Sequence, residues 1–422
     1  MKTQILFFIF FLAIGVQISS QIRIKGKVLD EKDEPLEGAS VYLNNTTKGT
    51  TTDNLGEFEL LIKEGVYDLI VSFIGYQTLQ YQIDTKKPNK PFLFKTIPVT
   101  NMLDEIVLNK KYSAQDRAYF LSRFKKTFLG ETELSEECAI TNLDVIQFNF
   151  NRSTRILEAF ANEPIEIINK GLGYKISYNL VHYELTPTKI TYQGYSKYED
   201  LKGSKRKKRK WKKNRLVAYK GSKMHFIRSV LKDVFYEEGF IVDEYQRIPN
   251  PKRPSDSIIK ETRKYLRTLN KNLYSNGAIQ VSSNSDVTIK DKNGIVINKM
   301  KKNPKRDSAL AIIRKARLKK FIDKKLRENL VEKDFIIRTE NFVRMKYDHL
   351  LYIKYMNEKE EDNFRPGPNR LNYQLTKLIL LAESVILDKA GIFIGPLDVF
   401  TEGYWGYEKT ANALPLDFTP KE

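Results

Sequence analysis

The chain has one cysteine, Cys138, and three histidines, His182, His225 and His349, in 422 residues. A single cysteine excludes an internal disulfide, so packing alone must hold the fold together. Three scattered histidines and one thiol give no spacing from which a metal site could be argued, and neither a metal nor any other cofactor is expected. Gly171-Leu172-Gly173 lacks the third glycine and the downstream acid of a dinucleotide loop and reads as a turn. Beyond the first twenty residues no run is apolar for long enough to span a bilayer as a helix, which takes about 20 residues.

What the chain does have is an apolar run at its start, a surplus of base and a wealth of aromatics. Lys2 precedes the run Ile5–Val16, and Ser19-Ser20 follow it. That reads as a cleavable export signal over residues 1–20, leaving no transmembrane span. No cysteine directly follows the run, which argues against a lipid anchor. The formal net charge is +20, from 72 Lys and Arg against 52 Asp and Glu. An exported chain so basic is expected to meet envelope polyanions, such as an anionic glycan or lipid headgroups, rather than nucleic acid.

Residues 21–98 read as strands throughout. Ile22, Ile24 and Val28 share one face of an alternating strand, Asp30–Pro35 turn, and Val41 and Leu43 resume the alternation. Asp53-Asn54-Leu55-Gly56 has hairpin-turn chemistry, with Phe58 and Leu60 after it and Tyr67, Leu69 and Val71 beyond. Gly26-x-Val28-x-Asp30, Pro35-Leu36-x-Gly38-Ala39-x-Val41, Asp53-x-x-Gly56-x-Phe58 and Ile74-Gly75-Tyr76 resemble the carboxypeptidase regulatory-like domain. The resemblance implies a transthyretin-like or Ig-like β-sandwich without catalytic groups. The peptidases such domains accompany use a His-x-x-Glu zinc pair, and no histidine here has Glu three residues on. Similar sandwiches precede TonB-dependent receptor barrels, and Leu103–Val107 looks like the connector found there. Too few residues remain for that barrel.

An α+β, strand-rich body is expected next, in two parts, 99–250 and 251–422, divided at the stiff Pro249–Pro254 segment. Tyr112–Leu129 reads as a helix with Phe120, Phe124 and Phe128 on one stripe, and Lys223–Glu238 as another. Ile258–Leu269 reads as a short helix and Ala278–Asn298 as a hairpin turning at Lys292-Asn293-Gly294. Asp307–Leu330 reads as a strongly basic helix, and Phe335–Met356 and Gln374–Phe400 as long strand-like segments. The motifs around Asn169–Ile176, Trp211 and Arg215, Ala218–Phe226, Gly403–Trp405 and Leu414-Pro415 resemble the bodies of uncharacterised exported proteins with one such sandwich.

Four groups of residues carry chemistry to weigh. Ser222 and His225, beside Tyr219, could bind an anion or act as nucleophile and base; Ser222 as a helix cap is the simpler reading. Nine of the twelve residues Ser204–Arg215 are basic: Lys205, Arg206, Lys207, Lys208, Arg209, Lys210, Lys212, Lys213 and Arg215. Charge so dense must stay in water, so a solvated loop that could dock on acidic headgroups or glycan is expected. Tyr404 and Trp405 could form a platform for sugar rings or simply pack. Glu358, Glu360, Glu361 and Asp362 read as a solvated acidic loop.

The expectation is therefore an exported, non-enzymatic protein of a Gram-negative envelope, in the periplasm or at the outer membrane. It would bind or dock an envelope polymer or protein. An envelope hydrolase of glycan or ester, and a basic membrane-surface protein, are the alternatives.

Overall fold

The computed structural model describes residues 21–87, 90–99, 112–274, 279–282, 287–290, 296–300, 304–340, 342–365 and 370–420; between 270 and 303 it describes backbone alone. The expected signal segment 1–20, the Leu103–Val107 connector and the Lys292–Gly294 turn lie outside these residues.

The N-terminal strands are β1 (Ile22–Leu29), β2 (Ser40–Leu43), β3 (Gly49–Thr51), β4 (Glu57–Ile62), β5 (Val66–Ser72), β6 (Leu79–Asp84) and β7 (Phe92–Lys95). They form two sheets, ordered β4-β1-β7 and β3-β2-β5-β6, with β1 and β7 parallel. In β4 Phe58, Leu60 and Ile62 are buried while Glu57, Glu59 and Leu61 face water. They meet Val41, Leu69, Val71 and Ile83 of the opposite sheet. Each such side chain contributes about 1.5–3 kcal/mol by leaving water. The expected all-β sandwich is thus what the first segment forms.

The next unit combines α1 (Ala114–Phe128), the one-turn α2 (Glu133–Glu136) and six strands: β8 (Cys138–Ile140), β9 (Ile146–Asn151), β10 (Ile156–Ala161), β11 (Ile165–Asn169), β12 (Tyr174–Leu185) and β13 (Ile190–Asp200). Strand β12 is long enough to pair with β13 along one edge and with β11 and then β10 along the other. Ser113 caps α1 by accepting from the Asp116 N–H. Its Phe120, Phe124 and Phe128, four residues apart, pack against Phe148, Tyr178 and Tyr183 of the sheet.

Two helices follow, α3 (Lys205–Tyr219) and α4 (Lys223–Leu231). The solvated loop expected over Lys205–Arg215 is a correction: those residues are helical. Ser204 caps the helix, and Lys and Arg are good helix formers whose heads stay in water without needing a loop. Helix α4 ends seven residues earlier than expected, because Asp233 and Gly239 turn the chain at φ 57 and 90.

Strand β14 (Phe240–Pro249) then enters a five-stranded sheet and ends at the turn of Asn250, whose N–H donates to the Lys320 carbonyl at 3.0 Å. Next come α5 (Asp256–Tyr274), a small sheet of β15 (Ile279–Ser282), β16 (Val287–Lys290) and β17 (Val296–Met300), then α6 (Pro304–Lys315) and β18 (Phe321–Arg327). The expected basic helix to Leu330 is therefore overturned after Lys315. As a strand, β18 sets Asp323 opposite Arg247, where it also reaches Tyr352 and Lys377, contacts a continued helix would forgo.

The two long segments expected at 335–356 and 374–400 are each broken into short strands. These are β19 (Ile336–Arg338), β20 (Val343–Met345), β21 (Leu350–Tyr355), β22 (Gln374–Leu380), β23 (Val385–Asp388), β24 (Ile392–Ile394) and β25 (Val399–Gly403), followed by α7 (Tyr404–Tyr407). Their sheets run β18-β14-β21-β22-β25 and β19-β20-β23-β24. The first joins residues on both sides of Pro249–Pro254. Phe226, Ile227 and Val230 of α4 fill the core between them with Phe240, Leu378, Phe393 and Trp405.

The sandwich docks on the body through the β2–β3 turn. Thr46 bridges Lys197, Asn45 donates to the Ser196 carbonyl, and Leu416 donates back to Asn45 at 2.7 Å.

Candidate functional site

Helix α3 is seated on a socket made by the turn between β11 and β12. Four successive carbonyls of that turn accept from one helix face: Lys170 from the Trp211 indole (2.8 Å), Gly171 from Asn214 (2.9 Å), Leu172 from Arg215 Nε (2.7 Å) and Gly173 from the same guanidinium (3.2 Å). Gly173 has φ 74, and a Cβ there would sit 2.2 Å from the Trp211 ring. Only glycine lets the indole lie flat on this backbone. Arg215 also pairs with Asp200 at 2.7 Å and lies 3.8 Å from the centre of the buried Tyr174 ring. Burial raises the Tyr174 phenol well above its ordinary range, the guanidinium opposing.

With Trp211, Asn214 and Arg215 turned to the socket and Ala218 and Tyr219 buried in the core, the N-terminal part of the helix otherwise faces water. Lys205 to Lys210, Lys212 and Lys213 are exposed. Among the described residues Lys210 pairs with Glu137 at 2.8 Å, whereas Lys205, Arg206, Lys207, Lys208, Arg209, Lys212 and Lys213 have no acidic partner. Ser204 accepts from the Lys207 N–H and so opens the helix immediately before the charges. The charged row is thus carried on a fixed scaffold.

A groove of about 530 Å³ runs beside this helix. Lys208, Trp211, Lys212, Arg215 and Leu216 of the helix line it, with Tyr174 and Asp200 of the sheet, Leu201 just after it, Thr47 of the sandwich, and Pro415, Asp417, Phe418, Thr419 and Pro420. Sequence reasoning picked out the basic run but missed Thr47, Asp200 and Asp417, which lie far apart in the chain. The hint it had was Trp211 and Arg215 at i and i+4, a pair that marks the helix's inner face.

Tyr219, Ser222, His225 and Trp405 come together where α3 meets α4, but inside the protein. Ser222 caps α4, accepting from the His225 N–H at 3.2 Å and donating to the Tyr219 carbonyl at 2.6 Å. His225 Nδ1 accepts from the Gly221 N–H at 3.1 Å, which leaves the proton on Nε2, 3.0 Å from Glu238. Both ring nitrogens are therefore engaged. Burial lowers the His225 pKa, against the pull of Glu238. Trp405 is 8% exposed and Tyr404 3%, with Tyr404 packed edge-on to Phe364, so neither presents a ring face to solvent.

The acidic loop differs from its expectation. Glu360 is buried beside Arg365, and Glu361 accepts from the Glu133 N–H and the Tyr407 hydroxyl. Burial pushes Glu358 up to about 7 and Glu408 up to about 8. Among the described residues no cluster of His, Cys, Asp or Glu could hold a metal ion, and no helix is long and apolar enough to cross a membrane.

The N-terminal module is a CarboxypepD_reg-like domain, whose family model matches residues 24–108. The chain is 48% identical over 67 residues to the TonB-dependent receptor SusC of Bacteroides thetaiotaomicron, covering 16% of this chain and 6% of the receptor. It is 30% identical over 70 residues to the TonB-dependent receptor P39 of Formosa agariphila, covering 17% and 7%. The chain thus spans less than a tenth of the curated relatives it matches. A solved protein of unknown function from Bacteroides fragilis aligns over 91% of this chain and 93% of its own at 9% identity, with a TM-score of 0.16, too low to speak to the fold.

Proposed function

We propose that this is an exported envelope protein that binds rather than transforms, holding itself against an anionic surface through helix α3. The observation that carries the reading is the row of seven basic side chains that have no acidic partner among the described residues, on a helix fixed by four carbonyl bonds. A mobile loop would lose side-chain and backbone entropy on docking; this helix is already ordered, so less of its binding energy is spent. Each basic residue near a negatively charged membrane contributes about 1 kcal/mol. The CarboxypepD_reg-like domain and its likeness to receptor N-terminal regions support an envelope-associated role. The engagement of both His225 nitrogens, and of Ser222 as a cap, supports binding over hydrolysis.

Vesicle flotation tests the proposal. The full chain should float with vesicles containing phosphatidylglycerol, stay down with phosphatidylcholine alone, and be released from the former by high salt. Equal flotation with both compositions, or with neither, overturns it.

A further inference from the structure

The groove beside α3 combines features that the exposed row of charges does not need. Lys208 and Lys212, four residues apart and so side by side on the helix, both line it, and among the described residues neither has an acidic partner. Two adjacent ammonium groups present up to six donors to one oxyanion. Two carboxylates line the same groove, each already oriented. Asp200 is held by Arg215 at 2.7 Å, and Asp417 by the Thr47 N–H at 3.0 Å together with the Thr47 hydroxyl. Such carboxylates keep free lone pairs that accept from hydroxyl groups. Leu201, Leu216 and Phe418 add apolar surface to the lining of the same groove.

An inorganic anion would use only the lysines. A neutral sugar would leave them unpaired. A fatty chain would meet carboxylates. From this arrangement we infer that the groove is a binding site for a phosphorylated sugar. The phosphate lies between Lys208 and Lys212, the hydroxyls donate to Asp200 and Asp417, and one face of the ring rests on Leu201, Leu216 and Phe418. The inference rests on the reading of α3 as an anion-binding helix and gives that helix a specific ligand class. Phosphate-bearing sugars occur free and as lipid headgroups, and the groove reads the chemistry they share.

The test is calorimetric titration of the full chain with glucose 1-phosphate, inorganic phosphate and glucose in parallel. Glucose 1-phosphate should bind about tenfold or more tightly than either other probe, a margin of roughly 1.4 kcal/mol. Lys208→Gln with Lys212→Gln should abolish that preference. Arg206→Gln with Arg209→Gln and Lys213→Gln, none of which lines the groove, should leave it within about twofold while weakening flotation on anionic vesicles. Inorganic phosphate binding as tightly as the phosphosugar overturns the assignment, as does a phosphosugar affinity unchanged in the Lys208/Lys212 variant. Flotation retained without any phosphosugar binding overturns the groove alone; phosphosugar binding without flotation overturns the membrane reading alone.

Discussion

The Trp405 indole donates to the carbonyl of Gly221 at 2.7 Å, joining the C-terminal α7 to the corner between α3 and α4. Gly221 is the pivot of that corner: its φ is 72, and its N–H donates to His225. Tyr219 on one side of the pivot belongs to the core under α1, and Phe226 on the other to the core of the five-stranded sheet. The corner therefore holds two cores in register, and here a backbone conformation open to glycine coincides with buried hydrogen bonding.

Substitution at the pivot should be costly. In Gly221→Ala the new Cβ would lie 2.3 Å from Gln374 Oε1 and 2.6 Å from the Tyr355 ring, in a backbone region that disfavours side chains. A loss of about 1–3 kcal/mol from the backbone alone is expected, with the clash adding to it. Trp405→Phe keeps most of the packing but strands the Gly221 carbonyl, for about 1–3 kcal/mol. Urea unfolding measures both; unchanged midpoints would show that the corner is not a structural joint.

The socket under α3 makes a different prediction, in which anion binding falls although no charge is removed. Gly173→Ala drives a methyl group into the Trp211 ring, and Trp211→Ala leaves a cavity, costing about 3–5 kcal/mol. Both should loosen the helix and weaken flotation on anionic vesicles. Neutralising Arg206, Arg209 and Lys213 should weaken flotation with the thermal midpoint nearly unmoved. If the Trp211 variant floats as well as the parent chain, order in the helix is irrelevant to docking.

Glu358 gives a pH signature. Its half-buried carboxyl is pushed up to about 7 by desolvation, opposed by Lys220 and by a 3.2 Å bond from Gln374. A carboxyl whose folded pKa exceeds its unfolded value of about 4.3 favours the fold while protonated in both states, at low pH. That contribution is lost as pH rises from the unfolded value through about 7. Glu358→Gln, neutral at every pH, should raise the melting temperature at pH 8 and change it little at pH 4. Differential scanning fluorimetry at the two values decides, and an equal shift at both would refute the assignment.

Much of the fold was legible where one rule governed. Phe58, Leu60 and Ile62 alternate in and out because β4 has one dry face, and Phe120, Phe124 and Phe128 share a stripe because α1 has one. The sequence misled where tertiary partners outvote local pattern. Phe321–Arg327 carries the charge of a surface helix but is a strand, since Asp323 finds Arg247, Lys377 and Tyr352 only in that form. The basic run looked too charged for order, yet Trp211 and Arg215 supply an inner face to an otherwise solvated helix. The groove escaped detection because Thr47, Asp200, Lys208 and Asp417 share no local pattern.

Arg228 links the C-terminal stretch to the body, and through it the sandwich. Its guanidinium donates to three carbonyls, Ala390 at 3.0 Å, Leu416 at 2.9 Å and Phe418 at 2.9 Å. Leu416 in turn donates to Asn45, and Asp417 accepts from Thr47, so the stretch is clamped between α4 and the β2–β3 turn. Bonds to a charged donor are worth about 1.5–3 kcal/mol each, with less than additive sums when one side chain makes all three. Arg228→Met keeps the aliphatic stem and removes every donor. It should lower the melting temperature and, by freeing residues 416–418, let the sandwich unfold apart from the body. Calorimetry would then show two transitions where the parent chain shows one. Asp417→Asn, which weakens only the Thr47 contact, should lower the midpoint by less and keep a single transition. One unshifted transition in Arg228→Met would mean that the C-terminal stretch is not what holds the sandwich, and that its bonds to β12 and β13, from Asn179 to Tyr42 and Ser72, from Tyr195 to Gln80 and at Ser196 and Lys197, suffice.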